Sequence, residues 1–180
     1  MADSNITKRA LATSMKQLMA QKPFHKITVS DICEGCGMNR KSFYYHFMDK
    51  YDLVNWIYDT EFIAIASRKE YLSDWDFVEA LCRYLETERV FYSHALKISG
   101  QNSFSEHFAE MLQPLLKETM HRIFGDNAGE FHVTFFSDAF VMVIKRWIIE
   151  MEDVRAEEFV GLLKSLVYRT AETLCSEMNE

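Results

Sequence analysis

The residues best suited to chemistry lie together in one short run, Arg40-Lys41-Ser42-Phe43-Tyr44-Tyr45-His46-Phe47. Phe43 and Phe47 are four apart and share one helical face, which the spacing assigns to a core. Arg40, Lys41, Ser42, Tyr44, Tyr45 and His46 then point elsewhere. A surface helix facing only water does not normally present two tyrosines among cations and hydroxyls, so this composition calls for a partner. Duplex DNA fits it. A helix enters the major groove, Arg and Lys meet guanine edges or phosphates, and aromatic rings contact thymine methyls and sugars.

Such a run needs elements that hold it in place, and the flanking sequence supplies their signals. Asn5 to Gln21 reads as an amphipathic helix, with Ile6, Ala10, Leu11, Met15, Leu18 and Met19 at helical spacing. Pro23 ends it, and Phe24 to Ile27 reads as an extended linker. Thr28 is a good N-cap, and Asp31 three residues on completes a capping box with Asp in place of Glu. Val29, Ile32 and Cys33 form the buried face of a short second helix, which Glu34-Gly35-Cys36-Gly37 stops. Asn39 caps the third. Two short helices joined by a tight glycine-containing turn are the helix-turn-helix signature.

Charge agrees with that reading. The chain carries a net −7, yet residues 1–50 hold eight basic against four acidic side chains, a surplus of +4. The other 130 residues hold 12 basic against 23 acidic, or −11. A basic head on an acidic body suits a protein that sets only its head on a polyanion.

The wording of the motif is closer than generic. Thr28-Val29-Ser30-Asp31-Ile32-Cys33, Gly37-Met38, Ser42-Phe43-Tyr44-Tyr45-His46-Phe47, Lys50 and Leu53 resemble the N-terminal domain of the TetR family of transcription regulators. The resemblance implies an all-α fold of about nine helices. A three-helix DNA-binding domain over residues 1–50 precedes a helical effector-binding and dimerisation domain over 51–180. It also implies roles. Thr28 would contact a phosphate, Arg40, Lys41 and Ser42 would front the recognition helix, and Tyr44, Tyr45 and His46 would touch backbone and bases. Lys50 would meet a further phosphate. Cys33 and Cys36 depart from the family's small residues and read as small buried hydrophobes. Phe140 to Glu150 resembles a subgroup that includes regulators of dihydroxyacetone kinase operons.

The body reads as helices throughout, with only 6 Gly and 2 Pro in the chain. One long helix runs from Asp49 through Ala66, another from Ser73-Asp74 past Glu88 to Phe91, and a short one covers His94 to Ser99. Ser105 to Phe124 follows with Pro114 as a kink, then a break at Gly125 to Gly129, then Phe131 to Met151 and Ala156 to Met178. Trp56, Phe62, Tyr84, Phe91, Phe108, Met111, Phe136 and Phe140 are candidates to line a small-molecule pocket. The last two helices are apolar on more than one side, and a second subunit is the natural cover. Phe131, Phe135, Trp147, Phe159, Leu163, Leu166 and Tyr168 are the candidates for that homodimer interface.

Other classes find no support. There is no phosphate-binding loop, dinucleotide fingerprint, nucleophile elbow or zinc motif, so no enzyme, cofactor or metal is expected. The N-terminus lacks a signal layout and no apolar run reaches a membrane-spanning length, which predicts a cytoplasmic protein without a membrane role. A protein-binding module is the rival for the tyrosine-rich helix; phosphate contacts would make binding fall steeply with salt. The resemblance implies a repressor released by a small-molecule effector. The alternative is an activator or co-regulator answering to a protein partner or a metal ion.

Overall fold

The computed structural model describes residues 2–68, 70–71, 73–100, 102–124 and 130–177. The break at Gly125 to Gly129 and the helix end at Met178 lie outside the described residues. Among the described residues there is no strand, and the elements are helices as the sequence predicts. They are α1 (Ala2–Gln21), α2 (Val29–Gly35), α3 (Arg40–His46), α4, α5 (Asp74–Thr87), α6 (Arg89–Ala95), α7 (Phe104–Phe124), α8 (Glu130–Glu150) and α9 (Ala156–Glu177). Helix α4 starts as Lys50–Tyr58, passes through a π-helical stretch at Asp59–Ile63 and ends as Ala64–Ala66.

The chain forms two compact units: Met1–Lys69 with Glu88–His107, and Glu70–Thr87 with Phe108–Glu180. In the first, α1 packs on α2, α3, α4 and α6 through Leu11, Met15 and Met19, all fully buried. Ile6 was expected on that face but is exposed, because the packed stripe begins a turn later at Leu11. Tyr58, Tyr92 and Phe104 fill the other end of this core, with ring centroids 5.3–6.0 Å apart.

Three local expectations are corrected. Phe24–Lys26 is a 3-10 turn rather than an extended linker, since Lys26 N and Ile27 N donate back to Pro23 O and Phe24 O. The helix expected to run from Asp74 past Glu88 breaks at Glu88, so α6 covers Arg89–Ala95 instead of beginning at His94. The Glu88 carboxylate is drawn to Lys16 of α1 at 3.1 Å, and its backbone leaves helical geometry. Helix α4 is continuous but not uniform, with the π stretch where Asp59 meets His107 Nε2 at 2.7 Å and Glu61 meets Lys16 at 2.5 Å.

In the second unit α5 packs against α8 and α9. Trp147 lies flat on Phe159 at 4.6 Å, and its Nε1 donates to Val154 O at 2.7 Å. Trp75 donates from Nε1 to the Tyr168 hydroxyl at 2.9 Å and rests beside Phe140. Helix α7 is continuous through Pro114.

Candidate nucleic-acid interface

The helix-turn-helix is assembled from short-range hydrogen bonds that follow from the residue types. Thr28 Oγ1 accepts from Asp31 N at 3.1 Å, and Asp31 Oδ2 accepts from Thr28 N at 2.7 Å, a reciprocal capping box. Lys22 reaches Asp31 at 2.9 Å, and that hydrogen bond, followed by those from Thr28, holds the Asp31 carboxyl down at about 2. Gly37 turns the chain at φ +68, a conformation that favours glycine. Asn39 Oδ1 then accepts from Ser42 N at 2.9 Å and starts α3.

Helix α2 is pinned to α1 by one buried bond. Ser14 Oγ donates 2.8 Å to Ile32 O, a carbonyl in the last turn of α2. Gly35 leaves room for it, since a Cβ there would stand 2.3 Å from Ser14 Oγ.

Helix α3 buries Phe43 completely and Phe47 almost so, which turns its other faces outward. Tyr45 is 83% exposed and Tyr44 51%. The Arg40 guanidinium sits 5.9 Å from the Tyr44 ring centroid, with Nη2 3.5 Å from the hydroxyl, so two of the expected readers form one prearranged pair. The Tyr45 and His46 rings meet edge to face at 4.9 Å. Lys41 and Thr28 are exposed. Ser42 is half-buried, and its hydroxyl lies 3.3 Å from Asn39 Oδ1, within the cap. Thr28, Arg40, Lys41, Tyr44, Tyr45 and His46 thus fall on the short segment from the α2 N-terminus through α3.

Lys50 is engaged within the fold. Its ammonium donates to Phe24 O at 2.9 Å and Ile27 O at 2.8 Å and lies 4.3 Å from the Phe24 ring centroid. Burial lowers its pKa. Two of its three N–H donors therefore serve the fold, tying the start of α4 to the turn that leads into Thr28. Sequence reasoning passed over Met48, which is 80% exposed directly after α3. It also passed over Lys8, whose ammonium lies over the Phe47 and Trp56 rings and so braces α3 and α4 together.

Cys33 is buried, Cys36 half-buried, and burial raises both thiols, consistent with small hydrophobes rather than reactive groups. The pocket candidates divide. Trp56, Phe62 and Phe91 belong to the first unit, and Tyr84, Phe108, Met111, Phe136 and Phe140 to the second. The interface candidates divide too. Phe131, Phe135, Leu166 and Tyr168 are exposed. Trp147, Phe159 and Leu163 are not available to a partner: they are 0%, 3% and 5% exposed, packed inside their own unit around the Trp147–Phe159 stack.

A reciprocal cap, a glycine turn and an outward-facing helix of cations and aromatics define a helix-turn-helix regulator. Comparison with known proteins is specific. Residues 13–57 match the profile "Bacterial regulatory proteins, tetR family", and residues 73–169 match "Transcriptional regulator C-terminal region" of the same family. The chain belongs to the TetR family of transcriptional regulators. It is 31% identical over 109 residues to the HTH-type dhaKLM operon transcriptional activator DhaS of Lactococcus lactis subsp. lactis (strain IL1403), a match covering 60% of this chain and 57% of that relative. Its fold is similar to a solved dihydroxyacetone kinase operon activator DhaS (TM-score 0.71, 22% identity, 93% and 97% of the two chains). It is also similar to NalD, the secondary repressor of the MexAB-OprM multidrug efflux pump in Pseudomonas aeruginosa (TM-score 0.68, 16% identity, 94% and 97%).

Proposed function

We propose that the chain acts as a homodimer on a near-palindromic operator, reading each half-site with α3 and answering to a small-molecule effector in residues 51–180. The exposed Arg40, Lys41, Tyr44 and Tyr45 on a +4 head carry this reading. Thr28 and His46 supply further contacts. Half-sites on one face of the duplex lie ~34–36 Å apart, a spacing that a two-fold dimer meets. The dimer itself draws support from α8 and α9. Phe131, Phe135 and Met142 fall on one face of α8, and Leu162 and Leu166 on one face of α9, all between 56% and 76% exposed. Uncovered apolar side chains in such number mark an interaction surface. A cytoplasmic setting fits, and no described helix is long and apolar enough to cross a membrane.

Repression released by an effector is the family default. A second reading, activation, is favoured by the name of the L. lactis relative, an operon activator.

The test is selection of bound fragments from the source genome, followed by affinity measurements. Arg40→Ala is expected to weaken binding and relax preference at one base position by about 1–3 kcal/mol. Lys41→Ala weakens binding to all sequences. If neither substitution changes operator affinity, α3 is not the reading helix.

A further inference from the structure

We propose that a cleft in the first unit, separate from the DNA-reading helix and from the body candidates, binds a small organic anion: a carboxylate or phosphate monoester on a ring-sized apolar body. The cleft has a volume of about 470 Å³, within the range of small-molecule sites. Its walls are the end of α1 (Ala20 to Lys22), the turn Pro23 to His25, Tyr51 of α4, and His94 with Lys97 to Ser99 at the end of α6.

The wall chemistry selects the ligand. Among the described residues, Lys22, Lys97, His25 and His94 line it and no carboxylate does, in a chain of net −7. Lys50, outside the lining, adds a third ammonium against the Phe24 ring, and the carboxylates near these cations are Asp31, which takes one contact from Lys22, and Asp49 beside Lys50. Several carbonyls at the two helix ends already accept hydrogen bonds within the fold. Leu18 O accepts from Lys22 N, Tyr92 O from Leu96 N, and His94 O from Lys97 N. Met19 O lies 2.6 Å from His94 Nδ1. A carbonyl can only accept, so Nδ1 carries the proton and the ring is held in one orientation before any ligand arrives. Phe24 and Tyr51 meet edge to face at 5.0 Å, and with Ile98 and Pro23 they offer an apolar floor for a ring. Tyr51 and Ser99 add hydroxyl donors.

The test uses the full chain without DNA, so its outcome is independent of the operator reading. Phenyl phosphate and benzoate are the anionic probes, and benzyl alcohol is the neutral control. Thermal unfolding and calorimetry are read together. A ligand at ten times its Kd is expected to raise the unfolding midpoint by roughly 3–6 °C, saturably. Which of the two anions binds tighter distinguishes carboxylate from phosphate ligands. Lys97 is exposed, so Lys97→Glu is expected to fold normally and lose at least tenfold in affinity, with recovery in Lys97→Arg. The His94 ring resonances should move on titration of the wild type. The proposal is overturned by any of three results: no saturable rise with either anion, an equal rise with benzyl alcohol, or unchanged anion affinity in Lys97→Glu.

Discussion

Lys50→Met separates two roles that a lysine at this position can play. The substitution keeps an unbranched apolar stem and removes only the ammonium. That ammonium makes two charge-assisted bonds, 2.9 Å to Phe24 O and 2.8 Å to Ile27 O, and sits over the Phe24 ring. Bonds from a charged donor contribute about 1.5–3 kcal/mol each, before the cost of desolvating the lysine is returned. Phe24 O keeps Ile27 N as a donor at 3.0 Å, so only one carbonyl is left short. A net loss of about 2 kcal/mol follows, which for a chain of this size lowers the unfolding midpoint by roughly 4–8 °C. Operator affinity falls as well, because the turn that positions Thr28 loosens. The salt dependence should hold nearly constant. A lysine acting only on a phosphate would behave in the opposite way: no change in midpoint, and a slope of log K against log salt shallower by about 0.9. Thermal unfolding and a titration between 50 and 200 mM salt, on the same variant, decide the matter. A wild-type midpoint with the shallower slope would refute the clamp.

Gly35→Ala should destabilise by about 1–3 kcal/mol despite the better helix propensity of alanine, because its Cβ meets Ser14 Oγ at 2.3 Å. Adding Ser14→Ala leaves Ser14 Cβ at 3.4 Å as the nearest neighbour, so a double-mutant cycle in urea should show the two changes coupled rather than additive. Asp31 has its carboxyl lowered from 3.8 to about 2 in the fold, so its contribution is fully present above pH 3.8 and is lost as pH falls toward 2. Denaturant midpoints of wild type and Asp31→Asn should therefore converge over that window, and equal midpoints at pH 6 would contradict the capping box. Phe135→Asp, on an exposed face, should yield monomers by light scattering with the unfolding midpoint of the monomer unit kept. Trp147→Ala should instead cost about 3–5 kcal/mol, since it empties the stack on Phe159 inside the unit.

The head was legible because its determinants are close in sequence. Thr28 and Asp31, Asn39 and Ser42, and Phe43 and Phe47 are three or four residues apart, and each pair meets as its types require. What escaped depends on distant partners. Lys50 reads as a phosphate contact until Phe24 and Ile27, 26 and 23 residues away, are found beneath it. The break at Glu88 answers to Lys16, 72 residues off. Helices α8 and α9 are apolar on several sides, and periodicity alone cannot say which side faces inward. Trp147 and Phe135 therefore looked alike, although one is wholly buried and the other 57% exposed. The 3-10 turn at Phe24–Lys26 has no strong signature beyond Pro23.

The three tryptophans are distributed in a way that makes the chain its own optical instrument. Trp56 stands alone in the first unit, half-buried against Phe47 with the Lys8 ammonium 5.5 Å from its ring. Trp75 and Trp147 are both in the second unit, 6% and 0% exposed, each with its indole N–H donated. Emission from Trp56 therefore reports the surroundings of the reading helix, in a wetter setting than the other two. Trp56→Phe leaves a fluorophore set confined to the second unit, and the difference between the two traces isolates the first. Following both through a single denaturant titration asks whether the two units melt as one cooperative body or in succession.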